Sequence, residues 1–215
     1  SLVADDGKNV QTPEAWAAAW KWNYDGTWNY HFIPNQAVID SPEMGAGDTF
    51  GGGRAAMALT HTWYYSEIAL EDWDMAAVPS YNGNTTANFN ADTFRIMKTT
   101  QNPEAAFTVL TYLLDDASLK LLNTYGAMPA RKSDQAEYLA ALNDQFAWKP
   151  NWQVVSDSIA YADNPSFEGW MPNYLEARAR VANDFTTMLQ STEGLNIDDE
   201  IAKLKSDLQV IYDKQ

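Results

Sequence analysis

A chain of 215 residues that is 46% hydrophobic can bury a core in one large domain or two small ones, which excludes intrinsic disorder. Its formal net charge of −15, from 14 Lys and Arg against 29 Asp and Glu, repels phosphate backbones and anionic lipid, so nucleic acid is not an expected partner. The absence of cysteine excludes disulfides, thiolate-held metals, iron–sulfur clusters and Cys nucleophiles. The apolar runs are too short for a transmembrane helix, and the first residues show no basic, apolar leader pattern.

In chain order, Leu2–Val10 reads as a strand end with a turn at Asp6-Gly7. Thr12-Pro13-Glu14 has the chemistry of a helix start, and the spacing of Ala15, Ala18, Ala19 and Trp22 predicts helix over 13–23. Asp25–Glu43 is broken by Gly26, Pro34 and Pro42 and reads as a long loop carrying Trp28 and Tyr30. Met44–Gly53 reads as a short helix ending in glycines. A buried strand is expected at Ala55–Leu59, then a helix from Trp63 to Leu70 capped by Thr62. Further short strands are expected at Asp74–Val78 and Thr93–Met97, either side of a turn-rich loop, Tyr81–Asn88. That loop holds an Asn-Thr-Thr sequon at Asn84.

Asn102-Pro103-Glu104 repeats the helix-start pattern, and Ala106, Phe107, Leu110, Leu113 and Leu114 follow it at amphipathic spacing. A second helix, Leu119–Tyr125, stops at Gly126, and a third runs from Ser133 to Phe146. Trp148, Pro150, Asn151 and Trp152 form an aromatic loop. A helical region from Pro165 to Gln190 is interrupted by Gly169 and Pro172 and ended by Gly194. Asn196 caps the last helix, with Asp198, Asp199 and Glu200 in its first turn and Leu204, Leu208 and Ile211 on one face. Helices alternating with short strands predict an α/β fold.

Nine Trp, eleven Tyr and eight Phe are more ring surface than a core of this size requires. The excess suggests rings that line a site, and the C–H faces of sugars are a natural ligand. His31 and His61 stand in no HxH or HExxH pattern, so no metal is expected. There is no GxSxG elbow. The glycines between Gly45 and Gly53 lack the GK[ST] ending of a phosphate loop and read as a helix terminus. A glycosidase would need two carboxylates across a sugar, and Asp25, Glu67, Asp92 and Glu168 all lie near aromatics.

The run Phe50-Gly51-Gly52-Gly53-Arg54-Ala55-Ala56-Met57, followed by Trp63, resembles a motif of the family 1 solute-binding proteins of sugar ABC transporters, the maltose-binding-protein type. The segment ending at Val78-Pro79, the run from Thr99 to Ala106 and the Gly126-Ala127-Met128-Pro129 step follow in the family's order. So does the helix pair around Gly194.

The resemblance implies a helix-rich periplasmic-binding-protein-like (type II) lobe with a short-stranded sheet. Residues 1–215 would be the C-terminal portion of a two-lobed protein, with about 91–127 crossing to the other lobe. It implies a binder of mono- or oligosaccharide rather than an enzyme, located extracytoplasmically in the periplasm or as a surface lipoprotein. Its partners would be the sugar and the permease subunits, with no cofactor and no metal. Apolar lobe surface left uncovered would favour self-association.

On this reading Trp63 is the platform for a sugar ring, with Tyr65 as a second ring. Asn90 and Asp92 stand where the family has paired glycines beside the ligand, so this chain departs from the pattern there. Arg131, Trp170 and Trp28 complete the expected site. The alternatives are a glycoside hydrolase using paired carboxylates and a protein-interaction module whose aromatics form a contact patch.

Overall fold

The computed structural model describes residues 1–44, 48–163 and 168–214, and resolves into two compact units. In chain order the helices are α1 (Glu14–Trp28), α2 (Gln36–Ile39), α3 (Pro103–Leu114), α4 (Ser118–Tyr125), α5 (Lys132–Gln145), α6 (Gln153–Ser158), α7 (Tyr174–Asn183) and α8 (Ile197–Tyr212). A 3₁₀ helix spans Thr62–Glu67, and a π-helical stretch, Asp184–Leu189, continues α7. Unit 1 comprises Ser1–Ala46 and Pro165–Gln215, and unit 2 is Gly47–Asn164.

Unit 1 is built on α8. Its apolar positions recur at helical spacing and bury Ile197, Ile201, Leu204, Leu208 and Ile211 against α1 and α7. The Asn196 side chain accepts from the Asp198 N–H at 3.2 Å, and three acids in the first turn complement the positive helix end. The Trp28 indole donates to the Leu189 carbonyl at 2.7 Å, and the Leu195 N–H donates to the Tyr24 hydroxyl at 2.8 Å. Both tie α1 to the segment leading into α8. Arg180 of α7 bridges Asp184 and Asp207 of α8, the latter at 2.7 Å. The first residues are held by buried Glu168, whose carboxylate accepts from the Leu2 N–H at 2.7 Å and the Ser1 hydroxyl at 2.9 Å.

Unit 2 has an aromatic core. Tyr65, Trp73, Tyr138, Leu142 and Trp152 are buried, with Phe146 and Trp148 packed on them. The rings meet mostly edge to face: Tyr65–Trp152 at 5.2 Å, Trp73–Trp152 at 5.8 Å and Trp73–Phe146 at 5.4 Å. α5 supplies Tyr138 and Leu142 at i, i+4, and the Asn151 N–H donates to Asp74 at 2.7 Å. Much of the aromatic excess is therefore packing.

The expected α/β lobe with a short-stranded sheet is corrected. Among the described residues there is no strand and no sheet, only isolated bridges at Val3–Val10, Tyr81–Asn84 and Ala87–Ala162. Ala55–Leu59, Asp74–Val78 and Thr93–Met97 have no regular structure and find no ladder partner. Ala55–Leu59 was also expected to be buried, yet Met57 and Leu59 are 86% and 85% exposed. Its alanines carry little strand preference of their own, and pairing is what completes a strand. The Tyr81–Asn84 bridge is a tight turn, with positive φ at Asn82 and Gly83 as a two-residue hairpin loop needs.

Most helix expectations hold within a few residues. α1 runs five residues past the expected end at 23, to Trp28. The helix expected over Trp63–Leu70 is the shorter 3₁₀ turn, preceded by His61 rather than capped by Thr62. The helix expected over Met44–Gly53 falls partly outside the described residues, and Asp48–Gly53 forms turns. Pro165, the expected start of the late helical region, also lies outside them.

Candidate functional site

The C-terminal end of α4 meets two of the expected binding residues of unit 2, Trp63 and Tyr65. Gly126 caps the helix in the left-handed conformation, φ +87°, with its N–H donating to the Leu122 carbonyl at 2.7 Å. Lacking a side chain, it lets two backbones meet. A Cβ there would stand 2.7 Å from the Trp63 Cα and 3.1 Å from both the Trp63 carbonyl oxygen and the Tyr65 ring. The 3₁₀ helix Thr62–Glu67 is thus docked against the α4 terminus.

That docking separates the two expected rings. A 3₁₀ turn advances about 120° per residue, so Trp63 and Tyr65 cannot share a face. Tyr65 turns into the core, 5% exposed, and its hydroxyl donates to the Asn123 carbonyl at 3.3 Å. Trp63 turns outward and is 43% exposed. His61 stacks beside it at 6.1 Å with 25° between planes, and Tyr64 meets it edge-on at 6.5 Å. The Tyr64 hydroxyl accepts from the Gly51 N–H at 3.3 Å. Burial, and then the neighbouring Asp48 carboxylate, push that phenol up. The glycine turn is therefore a buttress beneath the aromatic group.

Tyr125, the last residue of α4, stands beside Asp92. The exposed Tyr125 phenol is raised above its ordinary pKa by the Asp92 carboxylate beside it. Asn90 is exposed two residues before Asp92. Gly126 thus meets the Trp63 backbone, and its chain neighbour Tyr125 meets Asp92. Sequence reasoning missed Tyr125, although it directly precedes the helix-stopping glycine.

No family model matches the chain, and no curated protein matches it.

The remaining expected site residues stand elsewhere. Arg131 is exposed and paired with Asp115 at 2.8 Å, which lifts its already high pKa. Trp28 and Trp170 belong to unit 1. The Trp28 indole is held by Leu189, and Trp170 is 62% exposed, with its ring lying 3.8 Å from where a Gly7 Cβ would be. Of the acids weighed for glycoside cleavage, Asp25 accepts from Asn29 at 2.7 Å and Glu168 holds the first two residues. No cluster of potential metal ligands occurs among the described residues, and none of their helices is long and apolar enough to cross a membrane.

Proposed function

We propose that this chain binds carbohydrate at Trp63, Asp92 and Tyr125, as the extracytoplasmic substrate-binding component of an ABC importer. The observation that supports the reading is the half-exposed Trp63 indole, whose backbone packs on Gly126, the residue that follows Tyr125, itself beside Asp92. An indole face takes the C–H face of a pyranose out of water, while a carboxylate accepts hydrogen bonds from ring hydroxyls and a phenol oxygen accepts another. Asn90 adds a group that both donates and accepts. Binding of this kind breaks no bond and needs no catalytic residue. The importer role rests on the order of motifs from Phe50 to Gly194, and the permease would receive the sugar.

The test is tryptophan fluorescence during titration with a panel of mono- and oligosaccharides, followed by chromatography of the sugars. The expected result is a saturable change with at least one sugar, lost in Trp63→Ala, with every sugar recovered intact. A response that survives Trp63→Ala removes the platform from the reading. Cleaved sugar replaces it with the hydrolase.

A further inference from the structure

The turn Tyr81–Asn84 carries its two central residues, Asn82 and Gly83, at φ +49° and +77°. Two backbone hydrogen bonds between Tyr81 and Asn84, both 2.9 Å, hold it. All four residues are exposed, and nothing lies within 4 Å of where a Gly83 Cβ would stand. The Gly83 N–H donates to no protein acceptor among the described residues, and the Asn82 side-chain amide has no partner among them either. The tip is tied to the rest of unit 2 further along, where the Ala87 N–H donates to the Tyr161 carbonyl at 3.0 Å.

We propose that Asn82 is a site of spontaneous covalent modification, closing on the Gly83 backbone nitrogen and ending as aspartate and isoaspartate. The Gly83 nitrogen attacks the Asn82 side-chain carbonyl carbon and gives up its proton. The new C–N bond closes a five-membered succinimide, and the side-chain nitrogen takes up a proton and departs as ammonia. Water then opens the ring at either carbonyl. One opening gives aspartate, and the other gives isoaspartate, whose main chain runs through the former side chain. Amide and water become acid and ammonia, so no oxidant, reductant or further reactant is needed. Ring closure requires rotation about the Asn82 Cα–C bond, out of the hairpin conformation. An exposed loop tip held by two hydrogen bonds opens readily.

The same chemistry is blocked at comparable pairs. At Asp6-Gly7 the carboxylate accepts from the Lys8 and Asn9 N–H groups, both at 2.9 Å. At Asp25-Gly26 the carboxylate accepts from Asn29 at 2.7 Å, and Gly26 is buried in α1. Within the loop itself, Asn84 and Asn88 are followed by Thr85 and Phe89, whose side chains crowd the attacking nitrogen. Gly83 has no side chain to do so. The product adds a negative charge to a chain already at −15. An isoaspartyl link also puts an extra backbone carbon into a loop whose two-residue length fixes the pairing of Tyr81 with Asn84.

The test incubates the intact protein in mildly alkaline buffer, folded and in urea, and follows each asparagine by peptide mapping and mass spectrometry. Asn82 is expected to convert first, with isoaspartate exceeding aspartate, at a folded-state rate within about tenfold of the rate in urea, since the exposed tip has little structure to lose. Gly83→Ala places a methyl beside the nucleophile and is expected to slow the reaction severalfold. That comparison is made in urea, where the turn plays no part. A folded protein that keeps Asn82 intact while the unfolded one converts it overturns the proposal. So does another asparagine that converts ahead of Asn82, a product without isoaspartate, or a Gly83→Ala rate equal to that of the wild type.

Discussion

The backbone of Gly126 lies directly against that of Trp63, leaving no room for a Cβ between them. The closure of α4 and the outward pose of the indole are therefore one feature. Gly126→Ala would combine a left-handed alanine with overlap against backbone that cannot rotate away. It is expected to destabilise unit 2 by at least about 2 kcal/mol and to shift the Trp63 emission. Urea unfolding followed by fluorescence reads both. An unchanged midpoint would show that the two backbones are not in contact.

Tyr138 tests the aromatic core. It is 2% exposed, its hydroxyl has no hydrogen-bond partner, and burial followed by the adjacent Tyr65 hydroxyl pushes the phenol far above its usual range. Removing an unsatisfied buried hydroxyl while keeping the ring relieves a desolvation cost. Tyr138→Phe is expected to leave unit 2 as stable or to stabilise it by about 1 kcal/mol. A loss of 2 kcal/mol or more in urea unfolding would mean that the hydroxyl has a partner.

Legibility followed the range of the interactions. Helices closed by local chemistry could be read closely: α8 from the Asn196 cap and its acids, α3 from Asn102-Pro103-Glu104, and α4 from its stop at Gly126. Strands could not, because Asp74–Val78 and Thr93–Met97 needed partners that local alternation does not supply. α6, which follows the aromatic loop, was not anticipated, since Trp152 at its start makes no side-chain cap and Val154 and Val155 are weak helix formers. At the site, Trp63 was visible as an aromatic beside a turn. Which of Trp63 and Tyr65 is buried depends on the packing of that 3₁₀ turn against Gly126, and the Asp92–Tyr125 pair joins residues remote in sequence.

Asp184 gives unit 1 a pH signature. It is 4% exposed, and burial raises its pKa even though Arg180 pulls the other way. A folded-state carboxyl pKa above the unfolded value means that the native state binds more protons between the two. This contribution to stability is complete below the unfolded pKa and is lost as pH rises through the raised folded one. Asp184→Asn cannot ionise, so the wild type is expected to lose stability relative to the variant as pH climbs through the carboxyl range. Paired urea titrations from pH 3 to 7 (roughly the span around an ordinary carboxyl pKa) measure the difference. A difference that does not change with pH rejects the assignment.

The cap of α8 is a simpler case. Asn196→Ala removes the acceptor for the Asp198 N–H and is expected to cost unit 1 about 1 kcal/mol. Asn196→Asp, which restores an acceptor and adds favourable charge at the helix start, is expected to recover most of it. Thermal melts of the three proteins rank them, and an alanine variant as stable as the wild type would show that the cap is idle.

Isothermal titration calorimetry of the intact protein against a panel of oligosaccharides asks most directly whether Trp63, Asp92 and Tyr125 hold a sugar. Saturable heat with at least one sugar is expected, abolished in Trp63→Ala and weakened about tenfold in Asp92→Asn, as loss of one charged hydrogen bond to ligand would give. No heat with any sugar, or equal heat in both variants, would contradict the assignment.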